Sequence, residues 1–168
     1  MSDFDRIMQQ KTFTYPDETT KNDDKYKIYW VNTEIFDKYY KLNRDFYITY
    51  RGKEGSIGDR YKLFKDFFNT NDKIKVPEVS FSNGKDSKDN SNIGEARFVN
   101  GRHRYAYMRD MGATRIPMLI YDNSDTDPRY NYVLNIDELY SLGIIDSEYL
   151  DNTTVVSKIN FLLKEIKI

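Results

Sequence analysis

The 168-residue chain contains no cysteine and a single histidine, His103. Without cysteine there is no disulfide, no thiol nucleophile and no cysteine-ligated zinc, and one histidine excludes a metal site built from several histidines. No apolar run approaches the ~20 residues that a membrane-spanning helix needs, and the N-terminus lacks the charged-then-apolar pattern of a signal peptide. We therefore expect a cytoplasmic protein that does not associate with membranes.

Neither sign of charge dominates, because 26 Lys and Arg residues stand against 27 Asp and Glu, a formal net charge of -1. The chain has no global field that would attract nucleic acid or an anionic membrane, so any anion site has to be local. A hydrophobic fraction of 39% and a length of 168 residues are sufficient for one domain with a core. The aromatic fraction of 15% indicates compact packing first, and stacking surfaces for a base second.

The pattern of apolar residues predicts an α/β (α+β) domain at residues 25–121, between a polar arm at 1–24 and an extension at 122–168. Strand-like alternation occurs at 26–31, 74–81 and 95–99, and the apolar run at 116–121 is typical of a strand buried on both faces. Helical spacing follows Asn32 or Thr33, one of which caps the helix, and recurs at 61–68. A helix is also predicted at 101–111, where Gly112 suits its C-terminal stop. Residues 82–94 form a predicted long hairpin loop.

The ends of the chain leave alternatives open. The polar arm is either mobile or lies on the domain. The extension is predicted to be helical, with candidate helices at 136–142, 147–150 and 153–166. An apolar face on the last helix packs either on the sheet or against a second copy in a homodimer.

Residues 98–106, FVNGRHRYA, place the only histidine between two arginines where a predicted strand becomes a helix. Backbone N–H groups and the positive end of the helix dipole meet at such a junction, and arginine adds a planar fork of donors. Asn100, Gly101, Arg102, His103 and Arg104 are therefore candidate phosphate-binding residues. The alternatives are a plain turn glycine, a packing histidine and ordinary exposed arginines.

The pattern GxHRYA at 101–106, followed by Met111 and the pair Ile116-Pro117, resembles the signature shared by sulfiredoxin and the ParB-like nucleotide-binding domains. The resemblance is strongest over residues 98–121, weaker over 25–81 and ends at Asp122. It implies a mixed, curved sheet with packed helices. It also implies that His103 and Arg104 hold the phosphates of a nucleotide, ATP or CTP, with Mg²⁺ as a further expected component.

Two more positions follow from this resemblance. Arg60 corresponds to a sulfiredoxin lysine at the start of a helix and is a second candidate phosphate clamp, with a solvated arginine as the alternative. Leu63 and Phe67 stand where sulfiredoxin has hydroxyl-bearing residues. Arg102 occupies the place of the catalytic cysteine, which excludes sulfinic-acid reduction. Arg102 then contacts a phosphate or a nucleic-acid backbone, or is solvated.

Relatives of this kind include CTP-dependent DNA clamps and an ADP-dependent serine kinase, so the resemblance allows an NTPase or phosphotransferase. Such chemistry needs a carboxylate that binds magnesium or acts as a base. The candidates are Glu34 after the first strand, Asp59 beside Arg60, and Glu95 at the start of the strand that enters the motif. Each is otherwise a surface acid.

Three functions follow from these observations. The first is a nucleotide- or phosphate-binding protein that also hydrolyses the nucleotide or transfers phosphate. The second is a DNA-associated ParB-like module of a phage or other mobile element, for which the basic face would comprise Arg97, Arg102, Arg104, Arg109 and Arg115. The balanced net charge argues against this second function. The third is a non-catalytic interaction or inhibitor protein.

Overall fold

The computed structural model describes residues 2–83, 93–122, 136–150 and 163–164. Its helices are α1 (Asp3–Gln9), α2 (Glu18–Lys21), α3 (Thr33–Tyr40), α4 (Arg60–Thr70), α5 (Arg102–Asp110) and α6 (Ile136–Ser141), and a 3₁₀ turn spans Tyr50–Gly52. Its strands are β1 (Thr12–Thr14), β2 (Tyr26–Asn32), β3 (Lys73–Lys75), β4 (Glu78–Asn83), β5 (Ile93–Asn100), β6 (Arg115–Tyr121) and β7 (Ile145–Glu148). The predicted α+β class is confirmed.

The main sheet has five strands in the order β5-β4-β6-β2-β7. Strands β4 and β6 are parallel, whereas the pairs β5–β4, β6–β2 and β2–β7 are antiparallel, so the sheet is mixed as predicted. The central strand β6 has Ile116 through Ile120 buried, which confirms the prediction from its continuous apolar run. Strands β1 and β3 form a separate parallel pair.

Aromatic side chains form much of the core between the helices and the main sheet. Phe36 of α3 packs against Phe98 of β5 and Tyr105 of α5, with ring centroids 5.6 and 5.1 Å away. Tyr40 approaches the Phe98 ring to 4.8 Å in an edge-on arrangement. Phe98 and Tyr105 lie near the two ends of the 98–106 motif, so the motif packs on this aromatic layer at both ends.

The N-terminal segment lies on the domain, which decides between the two alternatives for it. Phe4 is 5% exposed and stacks on Phe68 at 5.4 Å, and Met8 is also buried. The Asp5 carboxylate accepts hydrogen bonds from the backbone N–H and the hydroxyl of Thr114, at 2.9 and 2.7 Å. Residues 2–14 therefore contribute to the same core as the sheet.

Proline divides the predicted strand at 74–81 into two strands that belong to different sheets. β3 pairs with β1, whereas β4 pairs with β5 and β6. Pro77, between them, has no N–H to give to a ladder, so the chain can change sheets there. The predicted hairpin is confirmed by the pairing of Asn83 with Ile93. Its connection, 84–92, lies outside the described residues.

The extension is helical only in part. The helix predicted at 136–142 is confirmed as α6, but the helix predicted at 147–150 is wrong, because β7 occupies this region. Ile145 and Glu148 pair with Val31 and Tyr29 of β2, whose backbone groups would otherwise be left at a sheet edge. The helix predicted at 153–166 lies outside the described residues, apart from Leu163 and Lys164, which are helical. Among the described residues, no helix is long and apolar enough to cross a membrane.

Candidate functional site

The predicted strand-to-helix junction is present, with β5 ending at Asn100 and α5 beginning at Arg102. Gly101 is the N-cap of α5 and has φ 86° and ψ 23°, a left-handed conformation that glycine adopts without strain. A Cβ atom on Gly101 would lie 2.6 Å from Nη2 of Arg104 and 2.9 Å from Cα of Pro77. The chain therefore needs glycine here for its own packing.

His103 is turned inward from the first turn of α5. It is 8% exposed, and its Nε2 accepts a hydrogen bond from the backbone N–H of Ile57 at 3.0 Å. Burial, helped by the charges of Arg102 and Arg60, lowers the pKa of His103 to about 4. The imidazole is therefore neutral at pH 7, and its hydrogen bond joins α5 to the loop before α4, which contains Gly52, Gly55 and Gly58. This contact corresponds to the packing alternative for His103.

Arg104 is also directed into the protein. Its Nη2 donates to the carbonyl oxygen of Val76 at 3.1 Å, and burial lowers the pKa of the guanidinium. Its buried Nε has no hydrogen-bond partner among the described residues. Arg104 therefore ties α5 to the segment that leads into β4, directly beneath Gly101.

Arg102 differs from its two neighbours, because it lines a cavity of about 600 Å³. The cavity lies between the segment after α3, the strand β5 and the start of α5. Its lining is Tyr40, Leu42, Asn43, Arg44, Asp45, Phe46, Glu95, Arg97, Phe98 and Arg102. The Cζ atom of Arg102 is 5.3 Å from the centroid of the Phe46 ring, and its buried Nε has no partner within the described part of the chain.

The lining of this cavity, called here the Arg102 cavity, carries an excess of positive charge. Arg44, Arg97 and Arg102 stand against Asp45 and Glu95. Arg97 Nε donates to Glu95 Oε1 at 2.6 Å, so these two charges offset each other. No described carboxylate forms a salt bridge with Arg102. The arrangement favours an anion in contact with Arg102.

The structure distributes the other predicted site residues around this junction. Asn100 is exposed at the end of β5, in register with Glu78. Arg60 and Asp59 are exposed at the start of α4. Arg60 is close enough to His103 to contribute to its lowered pKa.

The three candidate catalytic carboxylates do not share one cavity. Glu95 lines the Arg102 cavity, and Glu34, exposed on the first turn of α3, lines a different one. Asp59 lines neither of these two cavities. Among the described residues, no cluster of three or more His, Asp and Glu side chains could hold a metal ion.

The five arginines of the predicted basic face are not all on the surface. Arg109 has a side chain that is 1% exposed and pairs with Asp37 at 3.1 Å and with Asp110 at 3.0 Å. Burial alone would lower the pKa of Arg109, but the two carboxylates outweigh it and raise the pKa. Arg109 therefore cannot belong to an exposed DNA-binding face, and Arg104 is bonded to Val76.

No protein-family model, curated protein or solved structure matches this chain.

Sequence reasoning missed the residues that complete the Arg102 cavity on the α3 side. Arg44 and Phe46 lie in an irregular segment with no motif, and only the fold places them opposite Arg102.

Sequence reasoning also missed the polar network around Asp37. The Asp37 carboxylate accepts hydrogen bonds from the hydroxyls of Tyr47 and Tyr105, both at 2.7 Å. The sequence signal for both the cavity lining and the Asp37 network is that tyrosine and arginine are abundant. Abundance does not show which of these residues contact each other.

Proposed function

We propose that this protein is a nucleotide- or phosphate-binding protein of the ParB/sulfiredoxin type, and that it holds its ligand in the Arg102 cavity. The proposal rests on Arg102, because its Nε is buried and has no hydrogen-bond partner among the described residues. A buried guanidinium donor is rarely left unsatisfied in a native protein, and a phosphate oxygen is a fitting acceptor.

The start of α5 also favours a phosphate next to Arg102. Arg102 is the first residue of a nine-residue helix, and Gly101 supplies no side chain to cap it. The first backbone N–H groups of such a helix have no acceptor within the helix, and the dipole is positive there. Arg44 adds a further cation in the lining, whereas Arg97 is paired with Glu95.

The aromatic residues of the cavity favour a ligand with a flat ring. Phe46 is 54% exposed, and the Phe98 ring also lines the cavity. Every nucleobase can stack on such rings, so ATP and CTP are both candidate ligands. A volume of about 600 Å³ falls within the range of ordinary ligand sites. Glu95 is the candidate carboxylate at this cavity, and Mg²⁺ would arrive with the nucleotide phosphates.

The proposal is tested by the melting temperature of the protein with ATP, CTP, adenosine, cytidine and inorganic phosphate, with and without Mg²⁺. A ligand at about 100 times its Kd adds about 2.7 kcal/mol of stability, which raises the Tm of a chain this size by several degrees. The nucleotides should raise the Tm and the nucleosides should not. Phosphate release from the same samples reports whether a bound nucleotide is hydrolysed.

The decisive variant is Arg102→Gln, which should bind the nucleotide at least about tenfold more weakly because it loses a charge-assisted hydrogen bond. Arg6→Gln is the matched control, since Arg6 is exposed on α1 and lines none of the cavities described above. If no nucleotide or phosphate stabilises the wild type, or if both variants respond alike, the proposal is wrong.

A further inference from the structure

A second cavity, of about 320 Å³, lies at the other end of α5, where the start of α3 meets the turn after Asp110. We call it the Thr33 cavity. Its lining is Asn32, Thr33, Glu34, Asp37, Lys38, Lys41, Tyr50, Arg109, Gly112, Ala113 and Thr114. None of these residues lines the Arg102 cavity.

Two residues of this lining carry buried polar atoms that have no hydrogen-bond partner among the described residues. They are Nη2 of Arg109 and Oγ1 of Thr33. The Arg109 side chain is 1% exposed and Thr33 is 6% exposed. A buried donor without a partner is costly, so two of them at one cavity indicate a missing acceptor.

The remaining polar groups of these two residues are already engaged. Arg109 donates through Nη1 to Asp37 and through Nε to Asp110. The backbone N–H of Thr33 donates to the carbonyl oxygen of Thr114 at 3.0 Å. The two unpartnered atoms are thus one cationic N–H and one hydroxyl, and both can donate to an acceptor oxygen.

The groups that would contact the ligand set its sign. Both unpartnered atoms can donate, and one of them belongs to a guanidinium. Lys38 and Lys41 also line the cavity against Glu34, while Arg109 is paired with Asp37 and Asp110. The eight-residue helix α3 begins here, so the positive end of its dipole adds to the two lysines. The combination favours an oxyanion over a neutral or cationic ligand.

We propose that the Thr33 cavity binds a small molecule through a phosphate or carboxylate group, which accepts hydrogen bonds from Nη2 of Arg109 and Oγ1 of Thr33. The site is separate from the Arg102 cavity and does not depend on the function proposed for it. Tyr50 lines the cavity and stacks on the Arg109 guanidinium, so it is the side chain that would move to admit a ligand to Nη2 of Arg109. Tyr50 is 56% exposed, and the centroid of its ring lies 4.4 Å from Cζ of Arg109.

The experiment uses Arg102→Gln protein, so that binding at the Arg102 cavity does not contribute. The Tm is measured against inorganic phosphate and against acetate, with sodium chloride at equal ionic strength as the reference. A rise in Tm with either anion above the chloride reference is expected, and the anion that acts distinguishes a phosphate from a carboxylate ligand. No rise with either anion overturns the proposal.

Thr33→Val in the same background separates a binding role from a structural one. Valine keeps the shape and removes the unpartnered hydroxyl, so the Tm without ligand should stay the same or rise. The Kd for the active anion should rise by about tenfold, the loss expected for one hydrogen bond to a charged group.

The matched control is Thr20→Val. Thr20 is 6% exposed like Thr33, but its hydroxyl donates to the Asp17 carboxylate at 3.0 Å. This variant should lower the Tm and leave the anion response unchanged. An undiminished anion response in Thr33→Val contradicts the proposal, and so does a loss of Tm equal to that of Thr20→Val, because the Thr33 hydroxyl would then have a partner in the protein.

Discussion

His103 shows how one side chain of a predicted phosphate-binding motif can serve the fold. Its position between Arg102 and Arg104 at a helix start is typical of a phosphate ligand, but its Nε2 accepts the backbone N–H of Ile57. The imidazole accepts the Ile57 N–H at 3.0 Å, so it satisfies a backbone donor of the loop before α4. Residue type and spacing do not decide which neighbour a side chain engages.

The lowered pKa of His103 makes the stability of the protein depend on pH. The folded pKa of about 4 lies below the ordinary value of 6.5, so the unfolded state takes up the proton first as the pH falls. The free energy of unfolding should therefore decrease from pH 6.5 down to about pH 4. In His103→Gln this decrease should be smaller by up to about 3 kcal/mol, because the pKa falls from 6.5 to about 4 and one pKa unit corresponds to about 1.4 kcal/mol.

Urea unfolding at pH 7, 5.5 and 4.5 measures this effect. The wild type and His103→Gln have the same carboxylates. Subtracting the free energies of unfolding of the two proteins at each pH therefore leaves the contribution of His103. Parallel pH profiles for the two proteins would show that the imidazole is not buried as a neutral acceptor.

At the scale of elements, Gly101 is the point where β5, α5 and the segment before β4 meet. Its position against the Pro77 backbone and the Arg104 guanidinium leaves no room for a side chain. The close approach fixes the direction in which α5 leaves the sheet. It thereby places Arg102 at its cavity.

Gly101→Ala should be destabilising by roughly 2 kcal/mol or more, because it combines a strained backbone with a steric clash. Gly112→Ala is the matched control, since Gly112 has φ 100° but a Cβ atom there would meet nothing within 4 Å. Thermal or urea unfolding gives the stability loss of each variant. The difference between the two losses is the cost of the steric clash at Gly101. Equal losses would mean that only the left-handed conformation matters at Gly101.

Some helices and strands of this chain could be predicted from sequence patterns, and others could not. The strand at 116–121 was predictable from its continuous apolar run, and the helix at 101–111 from the two glycines that bound it. The strand β7 was not, since four residues carry no periodicity and the strand exists through pairing with β2. Residues Val31 and Ile145, which pair there, are far apart in the sequence.

For the whole molecule, the N-terminal segment is part of the core and not an appendage. Phe4 packs on Phe68 of α4 at 5.4 Å and on Tyr107 of α5 at 6.2 Å. The polar composition of residues 1–24 concealed this role, because a few buried side chains among polar ones give no clear pattern. The contacts that bury them come from distant elements.

Phe4→Ala should lower the free energy of unfolding by about 3–5 kcal/mol, the cost of deleting a buried aromatic side chain. Ile7→Ala on the same helix is the control. Ile7 is 43% exposed, so its substitution should cost less than about 1 kcal/mol. Chemical denaturation of both variants measures the difference, and a loss as small as that of Ile7→Ala would place the segment outside the folding unit.

The sequence by itself determined the α+β class, the strand-to-helix junction at Gly101 and the buried strand β6, because local periodicity and turn chemistry specify such features. Only the tertiary structure decided which side chains surround each cavity. Arg102 meets Phe46, and Arg109 meets Asp37 across 72 residues of sequence, through the packing of separate elements. Hydrogen bonds and packing between distant residues have no periodic signature, so the direction of His103 and Arg104 into the protein followed from the fold alone.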